Sequence, residues 1–160
     1  MARVICFHKP EEENGFFSNW YKSDFTIDGI TYTSMEQYMM HKKAVVFRDN
    51  KTAIEILSLS DVARIKALGR EVKNYDDRVW NGLRQIIVHK GLLAKFSQNE
   101  ELGKKLLDTG YSMLAECAVS DRIWGIGLSM HDPRRLDISS WNGQNLLGFA
   151  LMAVREELRK

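Results

Sequence analysis

A glutamate and a lysine in the stretch SMEQYMMHKKAVVF, residues 34–47, have the types and the spacing to do chemistry together. A helix of about 3.6 residues per turn places Glu36 and Lys43 on one stripe with Met40 and Phe47. A carboxylate and an amine on an apolar stripe must be paired, neutralised or used. When used, they supply proton transfer and a nucleophilic amine. A salt bridge at the edge of the core is the open alternative.

The register of this helix follows from its start. Ser34 and Gln37 have the spacing of a capping box, which predicts that the helix begins directly after Ser34. In that register Gln37, His41 and Lys42 are predicted to lie on the opposite, solvated side. Glu36 and Lys43 are therefore the charged side chains that we expect to face inward.

A second candidate cluster lies in AECAVSDRIWGIG, residues 115–127. Trp124 beside Gly125 and Gly127 predicts a flat stacking surface next to backbone N–H groups that a ligand can approach closely. Asp121 adds a carboxylate three residues earlier. The spacing matches neither the Rossmann fingerprint nor the P-loop, and an ordinary turn with a core tryptophan explains the same residues.

Further polar and aromatic residues are candidates for contact with a substrate. They are Ser18, Asn19, Trp20, Arg70, Trp80 and Asn145. Each also has a structural explanation: turn chemistry in GFFSNW, a solvated arginine past a helix end, a core tryptophan, and a cap at the start of the last helix.

Metal and acyl-transfer chemistry are not predicted. The four histidines lack HExxH or any other ligand spacing, and the two cysteines, Cys6 and Cys117, lack a CxxC pattern. No serine or cysteine has the context of a nucleophile elbow. We therefore predict neither a bound metal nor a cofactor.

Length and composition predict one compact domain over residues 1–160, since 44% of the residues are hydrophobic and 28% are charged. The net charge of +2 does not predict a broad nucleic-acid surface, although a small anionic ligand stays open. No segment has the length of a signal peptide or of a membrane span. The expected setting is the cytoplasm, and the oligomeric state is left open.

The predicted elements begin with a strand at residues 2–7 and a hairpin around Asp28-Gly29. Two short helices follow, NKTAIEIL and SDVARIKALG, the second with Ser60 as its cap and Gly69 as its stop. The longest periodic stretch, residues 76–96, predicts the central helix. Its inward stripe is predicted to comprise Val79, Leu83, Ile86, Ile87 and Leu93.

The remaining segments predict a helix in NEELGKKLLDTG, a strand in SMLAECAV, an irregular loop from residue 121 and a closing amphipathic helix in NLLGFALMAVREEL. The fold class is therefore α+β: a single, mostly helical domain with a small antiparallel sheet.

Six segments, in this order and over nearly the whole chain, resemble the NADAR (YbiA-like) family. They are FFSNW, IDGITYTSMEQYMMHKKA, ALGR, AKFSQNEELGKKLLDTG, LAECAVSDRIWGIG and WNGQNLLGFALMAVREEL. The resemblance implies a mainly helical α+β domain. It also implies an N-glycosidase that acts on phosphorylated ribosyl-amines.

The resemblance implies catalytic roles for Glu36, Lys43 and Asp121, with Trp80 and Trp124 at matching positions. Two substrate classes stay open: ribosylamino-pyrimidine phosphates of riboflavin biosynthesis, which lead, and guanine carrying ADP-ribose in nucleic acid. A module that binds such a ligand without cleaving it is the rival function.

Two routes to cleavage stay open as well. Lys43 can capture C1 of the opened ribose as a Schiff base while Glu36 moves protons, or Glu36 and Asp121 can divide the acid and charge-stabilising roles around an oxocarbenium-like transition state. The resemblance favours the lysine route. Stacking on Trp80 and Trp124, and contacts from Asn19, Arg70 and the Gly125–Gly127 backbone to phosphate and ribose, are expected in either case.

Overall fold

The computed structural model describes residues 3–160. The strands are β1 (Val4–Phe7), β2 (Lys22–Ile27), β3 (Ile30–Ser34) and β4 (Met113–Glu116). The helices are α1 (Met35–Val46), α2 (Asn50–Leu57), α3 (Val62–Arg70), α4 (Asp77–Gln98), α5 (Glu100–Leu107) and α6 (Leu146–Leu158). Short 3₁₀ turns occupy Gly15–Phe17, Pro133–Leu136 and Ile138–Ser140. The α+β, mostly helical fold class is thereby confirmed.

The chain groups into two compact units. Residues 22–98, which we call the hairpin unit, hold β2, β3 and α1 to α4. Residues 3–21 and 99–160, the terminal unit, hold β1, β4, α5 and α6. The single domain predicted over residues 1–160 stays a prediction.

The hairpin unit is organised around α1, which packs against α2, α3, α4 and β3. The predicted antiparallel hairpin is confirmed: Asp28 and Gly29 have φ angles of 51° and 80°, as a type I′ turn requires. The prediction that the long α4 is the central helix is wrong. The shorter α1 takes that place because neighbours cover it on several sides.

The start of α1 is confirmed, with one difference in its cap. The Ser34 hydroxyl accepts a hydrogen bond from the Gln37 N–H at 3.1 Å. The Gln37 side-chain oxygen reaches back to the Thr33 N–H at 2.8 Å, one residue earlier than in a standard capping box. The prediction that Gln37 and His41 are solvated is wrong, since both are buried. Gln37 also donates to the Leu59 carbonyl at 2.9 Å.

His41 shows how a polar side chain is accommodated on the back of α1. Its Nδ1 lies 2.8 Å from the hydroxyl of the fully buried Tyr32. Burial, followed by the charge of Lys42, lowers the pKa of His41. The unfolded chain therefore binds this proton more tightly than the folded chain does.

This difference predicts a loss of stability in mild acid. The contribution of His41 is fully present above the unfolded pKa of about 6.5 and is lost as the pH falls from there through the lower pKa of the folded state. We expect the free energy of unfolding, measured by urea titration, to be lower at pH 5.5 than at pH 7.5. His41→Asn should remove most of this dependence, and an equal dependence in that variant would contradict the assignment.

The end of α3 differs from the prediction. Asp61 rather than Ser60 caps the helix, by accepting from the Arg64 N–H at 3.3 Å. Gly69 does not stop it, because the helix continues to Arg70. A Cβ at Gly69 would lie 1.9 Å from the Met40 sulfur, so the glycine permits close packing of α3 on α1.

The predicted inward stripe of α4 is wrong for three of its members: Val79, Leu83 and Ile86 are exposed. The buried face lies to the side of that stripe. It comprises Trp80, Val88, Gly91, Leu92, Lys95 and Phe96. The periodicity predicted the helix correctly but predicted the wrong buried face, because apolar residues occur on both faces of α4.

The two glycines of α4 predict opposite effects on stability. A Cβ at Gly82 would meet nothing within 4 Å, whereas one at Gly91 would lie 2.5 Å from the buried Tyr38 ring. Gly82→Ala is expected to raise the free energy of unfolding by about 0.4–1 kcal/mol through helix propensity. Gly91→Ala is expected to lower it by about 1–3 kcal/mol through overpacking. Urea unfolding of both variants checks this, and a shift of the same sign in the two would contradict it.

The terminal unit contains a parallel pair that the sequence did not predict: β1 beside β4, with Cys6 opposite Ala115. Helix α6 packs on β4, and α5 packs on α6. The predicted strands at both places are confirmed from residue 4 onward, while residue 2 lies outside the described residues. Among residues 3–160, every helix is too short or too polar to cross a bilayer.

Asn145 does not cap α6 as predicted. It lies in the left-handed region with φ 53°, and its side chain makes no cap hydrogen bond. Instead its amide donates to the Leu114 carbonyl at 2.9 Å and accepts from the Glu116 N–H at 3.1 Å. The fully buried asparagine therefore joins the start of α6 to β4.

Candidate active site

Glu36 lies in the first turn of α1 and is 4% exposed. The helical register predicts this inward position. The helix N-terminus favours negative charge in the first turn, so the backbone itself supports a carboxylate there. Glu36 is thus a buried acid in the helix turn whose backbone favours negative charge.

Lys43 lies in the last turn of the same helix and is half-buried. Its Nζ is 4.6 Å from the centre of the Tyr75 ring and 5.9 Å from that of the Trp80 ring. Both distances fall within the range of a cation–π contact. The amine therefore lies beside two aromatic rings rather than in open solvent.

Burial and the charges around this amine shift its pKa in opposite directions. Burial lowers the pKa of Lys43, the nearby Glu36 and Asp77 carboxylates oppose the shift, and Arg70 adds to it. The net direction is downward, which increases the neutral, nucleophilic fraction of the amine at a given pH. Arg70 itself is exposed at the end of α3, where a guanidinium can meet an anion.

Trp80 is buried on α4, and the structure places it beside Lys43. From the sequence, Trp80 could be either a core residue or the wall of a pocket. Only 6% of it is exposed, so it is a core residue, and its role as a pocket wall stays a prediction.

Tyr75 is the residue that sequence reasoning missed. It lies in the short polar linker between α3 and α4, and 42% of it is exposed. Linker residues carry no periodic signal, so only the unusual presence of an aromatic residue in KNYDD marks it. The structure therefore adds Tyr75 and Asp77 to the predicted group around Lys43.

In the terminal unit, Asp121 organises the turn that holds Trp124. One carboxylate oxygen accepts from the Ile123 N–H at 3.0 Å and from the Trp124 N–H at 2.8 Å. This is an Asx-type turn, and it is formed by a single oxygen of the carboxylate. A catalytic role for Asp121 and a stacking role for Trp124 stay predictions.

The two glycines after Trp124 are required by the fold itself. A Cβ at Gly125 would lie 2.9 Å from the Glu116 carbonyl oxygen, and Gly127 has φ +74°. Between them, the Ile126 N–H donates to that same carbonyl at 2.8 Å. A phosphate contact from the Gly125–Gly127 backbone stays a prediction, and the Ile126 N–H is already used.

The segment Ser18–Trp20 follows the first 3₁₀ turn. The Ser18 hydroxyl accepts from the Trp20 N–H at 3.1 Å, as ordinary turn chemistry expects. Asn19 is 6% exposed, and its side-chain oxygen is buried without a hydrogen-bond partner among the described residues. A buried acceptor of this kind suits a donor on a ligand, such as a hydroxyl group.

No group of three or more His, Cys, Asp and Glu side chains within residues 3–160 is arranged to hold a metal ion. The free thiols of Cys6 and Cys117 are both buried in one apolar cluster with Ala115, Ile126 and Leu128.

The family model of the NADAR domain matches residues 6–159. The chain therefore belongs to the NADAR family. By class it is an N-glycosidase, since relatives with that name match 97% of this chain.

Three similar proteins illustrate this membership. The chain is 41% identical to N-glycosidase R617 of Acanthamoeba polyphaga mimivirus, over 97% of this chain and 96% of the viral protein. It is 32% identical to the riboflavin biosynthesis protein VVA0006 of Vibrio vulnificus, over 100% of this chain but 40% of that protein. The NMR structure of the Escherichia coli protein YbiA matches with a TM-score of 0.82 and 30% identity, over 99% of this chain and 86% of that one.

Proposed function

We propose that this N-glycosidase hydrolyses the bond between C1 of a phosphorylated ribose and an exocyclic amine of a nucleobase-like heterocycle. The leading substrates are ribosylamino-pyrimidine phosphates of riboflavin biosynthesis. One observation carries the proposal: Lys43 shares α1 with the buried Glu36, and its half-buried amine lies 4.6 Å from the Tyr75 ring and 5.9 Å from the Trp80 ring.

Lys43 acts as the nucleophile. When the ribose ring opens, C1 becomes an imine of the departing amine, and the neutral Lys43 nitrogen adds to this carbon. The bond from C1 to the heterocycle amine then breaks, which leaves C1 joined to Lys43 as a Schiff base. Water adds to C1 and releases the open-chain sugar phosphate, so the free lysine is restored.

Glu36 moves the protons that this sequence needs. As a carboxylate it takes the proton that the attacking Lys43 amine loses, and as an acid it gives that proton to the departing amine. The lowered pKa of Lys43 supports this role, because less energy is needed to form the neutral nucleophile.

The rings and cations nearby are expected to bind the substrate. Trp80 offers an aromatic surface to a planar heterocycle, and Arg70 offers a cation to a phosphate. Within the terminal unit taken by itself, the buried Asn19 oxygen can only accept hydrogen bonds, so it suits a hydroxyl donor better than a phosphate.

The second substrate class, guanine that carries ADP-ribose, requires the same chemistry at C1. The name of the Vibrio vulnificus relative supports the riboflavin class as the first choice. The cytoplasmic setting predicted from the sequence agrees with a metabolite substrate, and nucleic acid would then enter only as a modified substrate.

A side-by-side hydrolysis assay tests the proposal. The purified chain is given a ribosylamino-pyrimidine 5′-phosphate and, separately, an oligonucleotide with ADP-ribosylated guanine. Release of ribose phosphate that Glu36→Gln abolishes supports the leading class, whereas release of ADP-ribose alone moves the assignment to the second. Tight binding without turnover of either substrate would overturn the enzymatic proposal in favour of a binding module.

A further inference from the structure

The linker between α3 and α4 is held in place by hydrogen bonds to the segment between α1 and α2. The Lys73 N–H donates to the Asp49 carboxylate at 3.0 Å, and the Asn74 side chain donates to the Phe47 carbonyl at 3.4 Å. Asp49 is itself anchored, because it accepts from the Thr52 hydroxyl at 2.7 Å. The backbone on the N-terminal side of Tyr75 is therefore tied to the segment that directly follows Lys43's helix.

The ring of Tyr75 is oriented by two further contacts. It packs edge-on against Phe47, with ring centres 5.3 Å apart and an interplanar angle of 67°. The Tyr75 hydroxyl donates to the Asp77 carboxylate, and burial together with this bond raises the pKa of Tyr75. Tyr75 therefore remains neutral near pH 7, and its ring has one face toward the Lys43 amine at 4.6 Å.

We propose that Tyr75 is a positioning residue for Lys43, whose ring face holds the protonated amine between turnovers and releases it when the proton leaves. The ring quadrupole attracts the ammonium and has no comparable attraction for the neutral amine. Loss of this proton to solvent thus frees the nitrogen to move toward C1, and Glu36 remains a carboxylate for the proton that is lost on attack. This inference rests on the nucleophilic role of Lys43 in the proposed function.

The pKa of Lys43 depends on the charged groups that face its amine as well as on the Tyr75 ring. Glu36 on α1 and Asp77 on α4 favour the ammonium, while burial and Arg70 on α3 disfavour it. Trp80 lies farther away, at 5.9 Å, near the outer limit for a cation–π contact. Tyr75 is the nearer ring, so its removal should change the proton affinity of Lys43 more than any other aromatic substitution.

The test measures that proton affinity without requiring glycosidase activity. Lysines are reductively methylated with ¹³C-formaldehyde, and the Lys43 signal is identified by its absence from Lys43→Arg. Its pKa is then read from an NMR titration of the wild type, Tyr75→Leu and Tyr75→Phe. Leucine keeps apolar bulk without the quadrupole, whereas phenylalanine keeps the ring and loses only the hydroxyl.

We expect Tyr75→Leu to lower the pKa of Lys43 by about half a unit to one unit, and Tyr75→Phe to leave it near the wild-type value. If the leucine variant does not fold, Tyr75→Met provides the same comparison. An unchanged or raised pKa in the variant without the ring would overturn the inference.

A second readout separates positioning from simple stability. Tyr75→Leu should move the rising limb of the pH–rate profile to lower pH by the same half unit to one unit, and Tyr75→Phe should leave this limb near its wild-type position. Should the substrate assay fail while the titration shows the expected shift, the proposed function falls and the contact between Tyr75 and Lys43 stands. Normal hydrolysis with no shift in Tyr75→Leu would remove only this inference.

Discussion

Lys43→Met is expected to reduce N-glycosidase activity by about 10³-fold or more, because the substitution removes the amine that is proposed to form the Schiff base. Methionine keeps the length of the side chain and its contact with the two rings, so the fold should be retained. Lys43→Arg should be equally inactive, since a guanidinium keeps the charge and has no nucleophilic nitrogen at neutral pH. Initial rates on the substrate that the wild type cleaves provide the measurement.

The neighbouring Lys42 supplies the matched control. It lies on the same helix with its Nζ 6.0 Å from the Tyr38 ring, and Lys42→Met is expected to leave kcat unchanged. Borohydride added during turnover should attach the sugar phosphate to Lys43 and not to Lys42, as mass spectrometry of the peptides would reveal. Substantial activity in Lys43→Arg would contradict the nucleophilic role and leave Lys43 as a binding charge.

The pH dependence of the reaction follows from the same amine. The pKa of Lys43 is lowered from the usual lysine value of 10.5, mainly by burial. Because only the neutral form attacks, the rate should rise with pH along a limb whose midpoint lies below 10.5. The downward shift therefore brings the nucleophile closer to working pH.

On the alternative, oxocarbenium-like route, in which Glu36 and Asp121 divide the acid and charge-stabilising roles, Asp121→Asn is expected to lower kcat by about 10²-fold while the protein remains folded. The amide oxygen of asparagine can still accept from the Ile123 and Trp124 N–H groups, so the turn is retained and only the negative charge is lost. Asp121→Ala should also lower the free energy of unfolding, because both N–H groups lose their acceptor. Kinetics and urea unfolding of the two variants separate the two effects.

Asp137 provides the comparison for Asp121. It also accepts from the N–H two residues further along the chain, that of Ser139 at 3.0 Å, and it is exposed. Asp137→Asn is expected to leave kcat unchanged. A similarly unchanged kcat in Asp121→Asn would reduce Asp121 to a residue that only holds the turn.

The sequence by itself determined the elements with strong local signals. Asp28-Gly29 specified the hairpin, because few other pairs adopt two consecutive positive φ angles. Ser34 specified the start of α1, and with it the inward position of Glu36. These features depend on neighbouring residues, so they can be recognised without knowledge of the rest of the fold.

Tertiary packing decided which side of each helix became the interior. The exposed Ile86 on α4 and the buried His41 on α1 both contradict the apolar pattern, because burial depends on what packs around a helix as well as on its own residues. Gly69 carried the signal of a helix stop, yet its role is to admit Met40. A glycine has the same letter in both roles, and only the neighbouring helix distinguishes them.

Some residues of the candidate site could be recognised from the sequence, and others only from the structure. Glu36 and Lys43 were recognised because they share one helix, where spacing alone determines the face that each residue occupies. Tyr75 was not recognised, because it reaches the amine from a linker whose path depends on hydrogen bonds to Asp49 and Phe47. The sequence therefore determined that Glu36 and Lys43, the proposed reacting pair, share one helix face. The tertiary structure decided which ring lies against the amine, since that contact joins segments with no regular spacing between them.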